Sequence, residues 1–513
     1  TTRFTLLMCF FVMISLSGLN VGARGASTSS DYVPRDPILI DGNGDFTAAN
    51  GVIGGSGAPS DPYIIQGWEI DASQASGIEI RDTDAFFVVR DARVHSGSAK
   101  YPGLRFSRVH NGLVENVLSL NNSDGISLTE SANITIAGNT ISHNARDGIR
   151  AFLSVNVTIS ANTIDSNGAY AILFWSSEGA RINSNNVSSN LAGIYLLHST
   201  EADLRNNLFR SNGVLVFGNS VLQYNSHAIS HSNLVNGKPV YLYADCAGLN
   251  LDGMAMGQLI VANCTGVRVV NLHLVDTDVG IQMAFVDGAE ITNNSFSYNW
   301  FGVHITSSVN ILAHHNEFID NTVQALDYGG SENAWDDGYP SGGNYWSDYA
   351  GADECGGPAQ DVCPDPDGLG DVPYVIDANS QDRYPLMEPL TPIVERLVEL
   401  VRRKAWPSDR HITLSLSTET SVALYARLRN LGDGDTTAAA RFTITDEAGN
   451  VVAVRESGIT LLSPGQIGET SATWMVPAPG RYSVLAVAIF DSDGDGALDA
   501  SGLKTKTFGF RVV

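Results

Sequence analysis

The sequence predicts an all-β protein: a right-handed parallel β-helix followed by a C-terminal β-sandwich. Three observations predict it. Short alternating strands recur in a fixed register, asparagines recur at fixed offsets within that register, and glycine is abundant at 51 of 513 residues. Tight corners between short strands use glycine and asparagine because both tolerate left-handed backbone.

The repeat is read first. Segments of 22 or 23 residues begin at Gly125, Gly148, Ala171, Gly193, Gly280 and Gly302. Fourteen residues after each start stands Asn139, Asn162, Asn185, Asn207, Asn294 or Asn316. Five further on stands Asn144, Asn167, Asn190, Asn212, Asn299 or Asn321. Aliphatic residues keep the same register, as in Ile126 and Leu128, Ile149 and Ala151, Ile172 and Phe174. Each segment therefore carries three short strands, and none can bury its apolar face alone. Stacking the segments into a coil makes three parallel sheets around one core, with equivalent asparagines in hydrogen-bonded ladders. A leucine-rich horseshoe lacks its leucine consensus here. Between Val214 and Thr277 the register is disturbed, so excursions from the coil are expected there.

The rest of the chain divides by composition. Residues 1–25 read as a signal peptide: Arg3, then the apolar run Phe4 to Leu16, then small residues. Residues 34–390 hold the coil with its caps and exit loops. Residues 391–408 fit an amphipathic helix or linker that Pro407 ends. From 409 to 513, seven or so alternating runs in ~100 residues predict a sandwich.

Four cysteines outside the signal allow three pairings. Cys246–Cys264, spaced by nearly one rung, and Cys355–Cys363, closing a small loop, are the expected pair of disulfides. Such bonds belong to an exported chain. The net charge of -25, with only five lysines, excludes a nucleic-acid partner, because phosphate would be repelled.

A family resemblance rests on four segments. These are Gly55-Ser56-Gly57 to Asp61-Pro62-Tyr63-Ile64-Ile65-Gln66-Gly67-Trp68, Val235-Asn236-Gly237-Lys238-Pro239-Val240-Tyr241, Gly342-Gly343-Asn344-Tyr345-Trp346-Ser347-Asp348-Tyr349, and Asp382-Arg383-Tyr384-Pro385-Leu386-Met387. The set resembles NosD-like β-helix surface proteins of archaea and bacteria. That implies the carbohydrate-binding and sugar-hydrolase class of β-helix, and it raises copper handling as a possibility to weigh. Met254, Met256 and Met283 are the soft ligands available for copper. The C-terminal part resembles Ig-like adhesion modules of surface proteins.

Two acidic turns are candidate calcium loops. Asp491, Asp493, Asp495 and Asp499 occupy positions one, three, five and nine of an EF-hand-like loop whose twelfth position is Gly502. Asp365, Asp367 and Asp371 form a second cluster beside Cys363. Solvated turns are the competing reading for both.

Register also predicts what faces outward. Offsets two and four bring Arg150, Phe152, Trp175 and Tyr195 onto one surface, flanked by Arg105 and His198. Exposed rings stack on the apolar C–H faces of sugars, so this patch is the candidate glycan site; a covering loop or the sandwich is the alternative. Hydrolysis needs two carboxylates about 5 to 10 Å apart, and the adjacent pair Asp336-Asp337 lies in an exit loop, off this surface. The reading is therefore an exported glycan-binding or adhesion protein. A polysaccharide lyase, hydrolase or epimerase is the alternative, and a NosD-like copper accessory protein is the third.

Overall fold

The computed structural model describes residues 32–390 continuously, residues 6–9, and the C-terminal strands between 411 and 512 with the turns joining most of them omitted. It forms two compact units, Arg24–Leu390 and a second made of Thr1–Ala23 with Thr391–Val513. The amphipathic segment 391–408 lies outside the described residues, as does the loop 491–499.

The larger unit is the expected coil of parallel strands. Its first face has eight, from Ile38–Asp41 through Leu104–Val109, Ile126–Thr129, Ile149–Phe152, Tyr170–Trp175 and Ala192–Leu197 to Val214–Phe217. Ile126, Ile149, Ile172, Ile194 and Val214 pair in one register column, as the repeat requires. Two further faces stack Thr135–Ala137, Thr158–Ser160, Arg181–Asn183 and Asp203–Arg205, and Thr140–Ser142, Thr163–Asp165, Asn186–Ser188 and Leu208–Arg210. Inward aliphatics such as Ile136, Ile159, Ile182 and Leu204 are fully buried between them.

The asparagines form columns. The Nδ2 of Asn139 donates to Oδ1 of Asn162 at 2.9 Å, Asn162 to Asn185 at 3.0 Å, Asn185 to Asn207 at 2.9 Å, and Asn207 to Asn233 at 2.8 Å. A second column joins Asn144, Asn167, Asn190 and Asn212 at 2.8, 2.9 and 3.2 Å. Each Oδ1 also accepts the main-chain N–H of the residue one rung away, as Asn162 does from Asn139. The amides of both columns are thus paired at their buried corners.

At the disturbed register the chain does more than loop out. Leu234–Val235 and Lys238–Ala244 pair antiparallel through Asn236-Gly237, both at positive φ (50° and 83°). That is the hairpin geometry an Asn-Gly pair favours. The chain turns back there and begins a second coil, whose broad face stacks Lys238–Ala244, Gln258–Ala262, Val279–Ala284, Phe301–Thr306 and Val323–Tyr328. Its other faces include Thr265–Val270, Asp287–Thr292 and Val309–His314, and His273–Val275, Ser295–Ser297, Glu317–Ile319 and Tyr345–Trp346. So Asn294 and Asn316 form a column of their own, continued by Asn344 at 2.9 Å.

The broad face of the second coil lies across the open end of the first. Its inner side, with Leu259, Val261, Ile281 and Met283, packs into the second core, while Val240, Ile260, Ala262 and Ala284 on its outer side pack into the first. The edge strand Val214–Phe217 meets side chains where another strand would lie. Gln258 Oε1 accepts from Val214 N at 2.9 Å and its amide donates to Val214 O; Gln282 does the same for Val216, with N to Oε1 at 3.2 Å. An edge that would otherwise expose unpaired groups is closed.

The second resemblance segment is the Asn236-Gly237 hairpin, and the first and last close the ends of the coils. In the first, Ser56 and Gly57 N–H both donate to Asp61 O, and Tyr63 stacks on Phe46 at 4.5 Å. In the last, buried Asp382 accepts from Asn344 N at 2.7 Å and from Trp346 Nε1 at 2.8 Å, ending the asparagine column. Gly343 has no room for a Cβ, which would lie 1.8 Å from Asp382 Oδ1. Both expected disulfides are present, Cys246–Cys264 and Cys355–Cys363.

In the smaller unit, Ser421–Asn430 and Ile467–Met475 form one sheet to which Leu6–Cys9 adds as an edge. His411–Leu414, Lys506–Val512, Gly480–Phe490, Thr436–Asp446 and Val451–Glu456 form another. The remainder of the segment read as a signal lies outside the described residues.

Candidate functional site

The outer surface of the first face carries two side-chain columns. Arg105, Ser127, Arg150, Leu173, Tyr195 and Leu215 make one; Ser107, Thr129, Phe152, Trp175, Leu197 and Phe217 make its neighbour. All four strand residues expected on this surface besides Arg105 therefore lie on consecutive rungs. Phe152 and Trp175 rings are tilted together at 5.0 Å, and the Arg150 guanidinium sits over Trp175 at 5.6 Å. Trp175 stays 36% exposed. Tyr195 packs against Tyr170 at 4.9 Å, and burial raises its phenol pKa, keeping it neutral. His198, at the corner after the strand, meets Phe217 edge-on at 6.0 Å.

The two arginines differ from the others on this face. Arg81 and Arg108 hold Asp41 and Asp82 at 2.7 and 2.6 Å. Arg105 lies a loose 3.9 Å from Glu79, and among the described residues Arg150 has no carboxylate within ion-pair distance. Positive charge is thus left available on an acidic protein.

Glu79 shares the outward column with Arg105, whereas Asp147 and Asp278 point inward. Asp147 is buried, its Oδ1 accepts Tyr170 N at 3.2 Å, and desolvation with the neighbouring Asp124 charge pushes its pKa up to about 6. Asp278 is buried at the junction of the coils, accepts Gly193 N at 2.7 Å, and is pushed up to about 7 by desolvation. Both serve as main-chain acceptors. Asp336 of the exit-loop pair is bound bidentately by Arg383 at 2.6 and 3.0 Å, holding that loop rather than facing the strip.

Sequence reasoning missed Phe217, His304 and Tyr328. Phe217 stacks on His304 at 6.3 Å and meets Tyr328 at 6.1 Å, so residues of both coils meet where the strip ends. The signals were available: an Asn-Gly turn and two glutamines in otherwise apolar strands, Gln258 and Gln282.

With this geometry in hand, known proteins can be compared. Residues 50–209 match the family model described as "Right handed beta helix region", and residues 254–351 match "Periplasmic copper-binding protein (NosD)". The chain's coil is a right-handed parallel β-helix, NosD-like over residues 254–351. No curated protein matches the chain. Among solved structures, it is similar to the mannuronan C-5 epimerase AlgE6 A-module of Azotobacter vinelandii (13% identity, 56% of this chain and 81% of that one, TM-score 0.23). It is also similar to an alginate lyase from Paenibacillus sp. str. FPU-7 (9%, 61% and 98%, 0.25) and to tailspike protein 2 of bacteriophage CBA120 (10%, 96% and 75%, 0.28).

The NosD-like coil uses its methionines for packing. Met256 and Met283 are buried in the second core and Met254 packs against it, so these thioethers do not fit an accessible copper site. His314 and His315 bond to each other, Nδ1 to Nδ1 at 2.7 Å. Around Cys355–Cys363, Asp367 Oδ1 accepts Leu369 N at 3.1 Å, and Asp371 accepts Glu354 N and Cys355 N at 2.9 and 3.1 Å. Asp365 is exposed. Among the described residues no group of three or more His, Cys, Asp or Glu side chains has metal-holding geometry. Nor is any described helix long and apolar enough to cross a membrane.

Proposed function

We propose that this protein works outside the cytoplasm as a non-catalytic binder of acidic glycans, through the strip on the first face. One observation carries the reading: exposed Trp175, tilted against Phe152, lies under an Arg150 guanidinium that has no carboxylate within ion-pair distance among the described residues. Rings offer flat apolar platforms to sugar C–H faces, and guanidinium pairs bidentately with carboxylate or sulfate. Rungs repeat every ~4.8 Å, comparable to the advance of one sugar in an extended chain, so Arg105 and Arg150 could meet alternate residues. The two disulfides support an oxidising compartment. The C-terminal sheets would act as an Ig-like spacer or second binding module. Calcium at Asp491, Asp493, Asp495 and Asp499, and at Asp365, Asp367 and Asp371, belongs to the same proposal, and metal analysis of the purified chain tests it.

The functional test uses alginate and pectin. Wild type is retained, whereas Trp175→Ala loses affinity about tenfold, the loss expected of one stacked ring, with an unchanged unfolding midpoint. Unchanged retention by Trp175→Ala would remove the strip from the account. Release of reducing ends would replace binding with hydrolase chemistry, unsaturated product with lyase chemistry, and inversion at C5 in uncleaved polymer with epimerase chemistry.

A further inference from the structure

The strip does not run off the end of the first coil. Of the second coil's broad face, Lys238–Ala244 and Gln258–Ala262 cover the first core, and Val279–Ala284 lies along the edge strand through Gln282. The next strand in that stack, Phe301–Thr306, is still covered, with His304 3% and Thr306 1% exposed, and the one after it, Val323–Tyr328, brings exposed Tyr328 out beside Phe217. That strand raises a wall about one rung, ~5 Å, high at the foot of which lies Phe217. His304 stacks against Phe217 beneath it.

We propose that this corner makes the strip blind at one end, so that the protein recognises a glycan chain terminus lodged against Phe217, His304 and Tyr328. The inference rests on the glycan reading above and adds where the chain must stop. A polymer lying along Phe152, Trp175 and Phe217 would collide with the wall unless it ended there. Tyr328, 59% exposed, offers a second ring face at an angle to the first.

A second observation points to a ligand. His304 is 3% exposed and stacked with Phe301 at 5.3 Å, yet its Nδ1 has no hydrogen-bond partner, while Nε2 lies 3.2 Å from Thr306 Oγ1. An unsatisfied buried nitrogen is costly. Burial lowers the ring's pKa to about 4, so at neutral pH it is uncharged. With Nε2–H donated to Thr306, Nδ1 accepts one hydroxyl. A terminal sugar carries a hydroxyl where an internal one carries the glycosidic bond, and that hydroxyl is the partner assigned to Nδ1.

Calorimetry with the full chain tests this, using long-chain alginate and alginate oligomers of about ten residues. End recognition gives one protein per chain at both lengths and the same affinity per chain, and Tyr328→Ala, an exposed position, weakens both about tenfold. Stoichiometry that grows with chain length, or full affinity in Tyr328→Ala, would overturn chain-end recognition while leaving glycan binding intact. Absence of binding to either alginate would remove the glycan reading and this inference with it.

Discussion

At the residue scale, buried asparagine is the unit that specifies this protein. Asn162 shows why: its Nδ2 donates to Asn185 Oδ1 and Ile136 O, and its Oδ1 accepts two N–H groups of Asn139. Truncation leaves several buried partners unpaired, each costing about 1–3 kcal/mol. Asn162→Ala should therefore destabilise the coil by about 3 kcal/mol, read as a lowered denaturant midpoint; a neutral effect would mean the column is ornamental. The offsets of these asparagines were legible in the sequence because a buried amide is tolerated at few positions other than such corners. Asp382 and Asp278 were not legible as partners, since nothing local marks an aspartate as the end of a column or the pin of a junction. Desolvation raises both to about 7 from 3.8. A carboxyl with a raised folded-state pKa gives stability that is fully present below 3.8 and lost as pH rises through about 7. These two carboxyls thus pull stability down from pH 4 to 7, against the opposite pull of His227 and His304, which burial lowers to about 4, and Asp278→Asn should shift the slope toward rising stability relative to wild type. An identical slope in both would contradict the assignment.

At the element scale, the short strands follow from alternation and the corners from glycine and asparagine, and both were readable. The joint between coils was harder. Val235-Asn236-Gly237-Lys238 carries a strong hairpin signal, but it also belongs to a family pattern, and the turn-back needs the pairing partner to be recognised. Gln258 and Gln282 declare themselves only when Val214–Phe217 is seen to lack a strand neighbour. Their amides stand in for main chain. Gln282→Leu should leave the Val216 N–H and C=O unpaired and cost about 2–4 kcal/mol, with faster hydrogen exchange at Val216 than in wild type. Exchange at an unaltered rate would show that the edge is protected by something else.

At the scale of the whole molecule, two solenoid segments set across one another do two jobs. Each open end of a solenoid exposes core and strand edges, and here one coil's outer face covers the other's end. The same crossing turns a flat outer strip into a corner. Single-sequence periodicity reports stacking within a coil, yet it is silent on the angle between coils, so the strip was visible beforehand and the wall was not. The candidate site residues Arg150, Phe152, Trp175 and Tyr195 came from register alone, whereas Phe217 and Tyr328 meet only because the chain reverses.

The crossing of the coils is tested most directly by proximity. With cysteine placed at both Phe217 and Tyr328, a short bismaleimide should link the two positions in high yield, because their rings lie 6.1 Å apart. One uninterrupted coil would separate them by five rungs, about 24 Å, and the absence of that linked peptide pair in the folded protein would contradict the account.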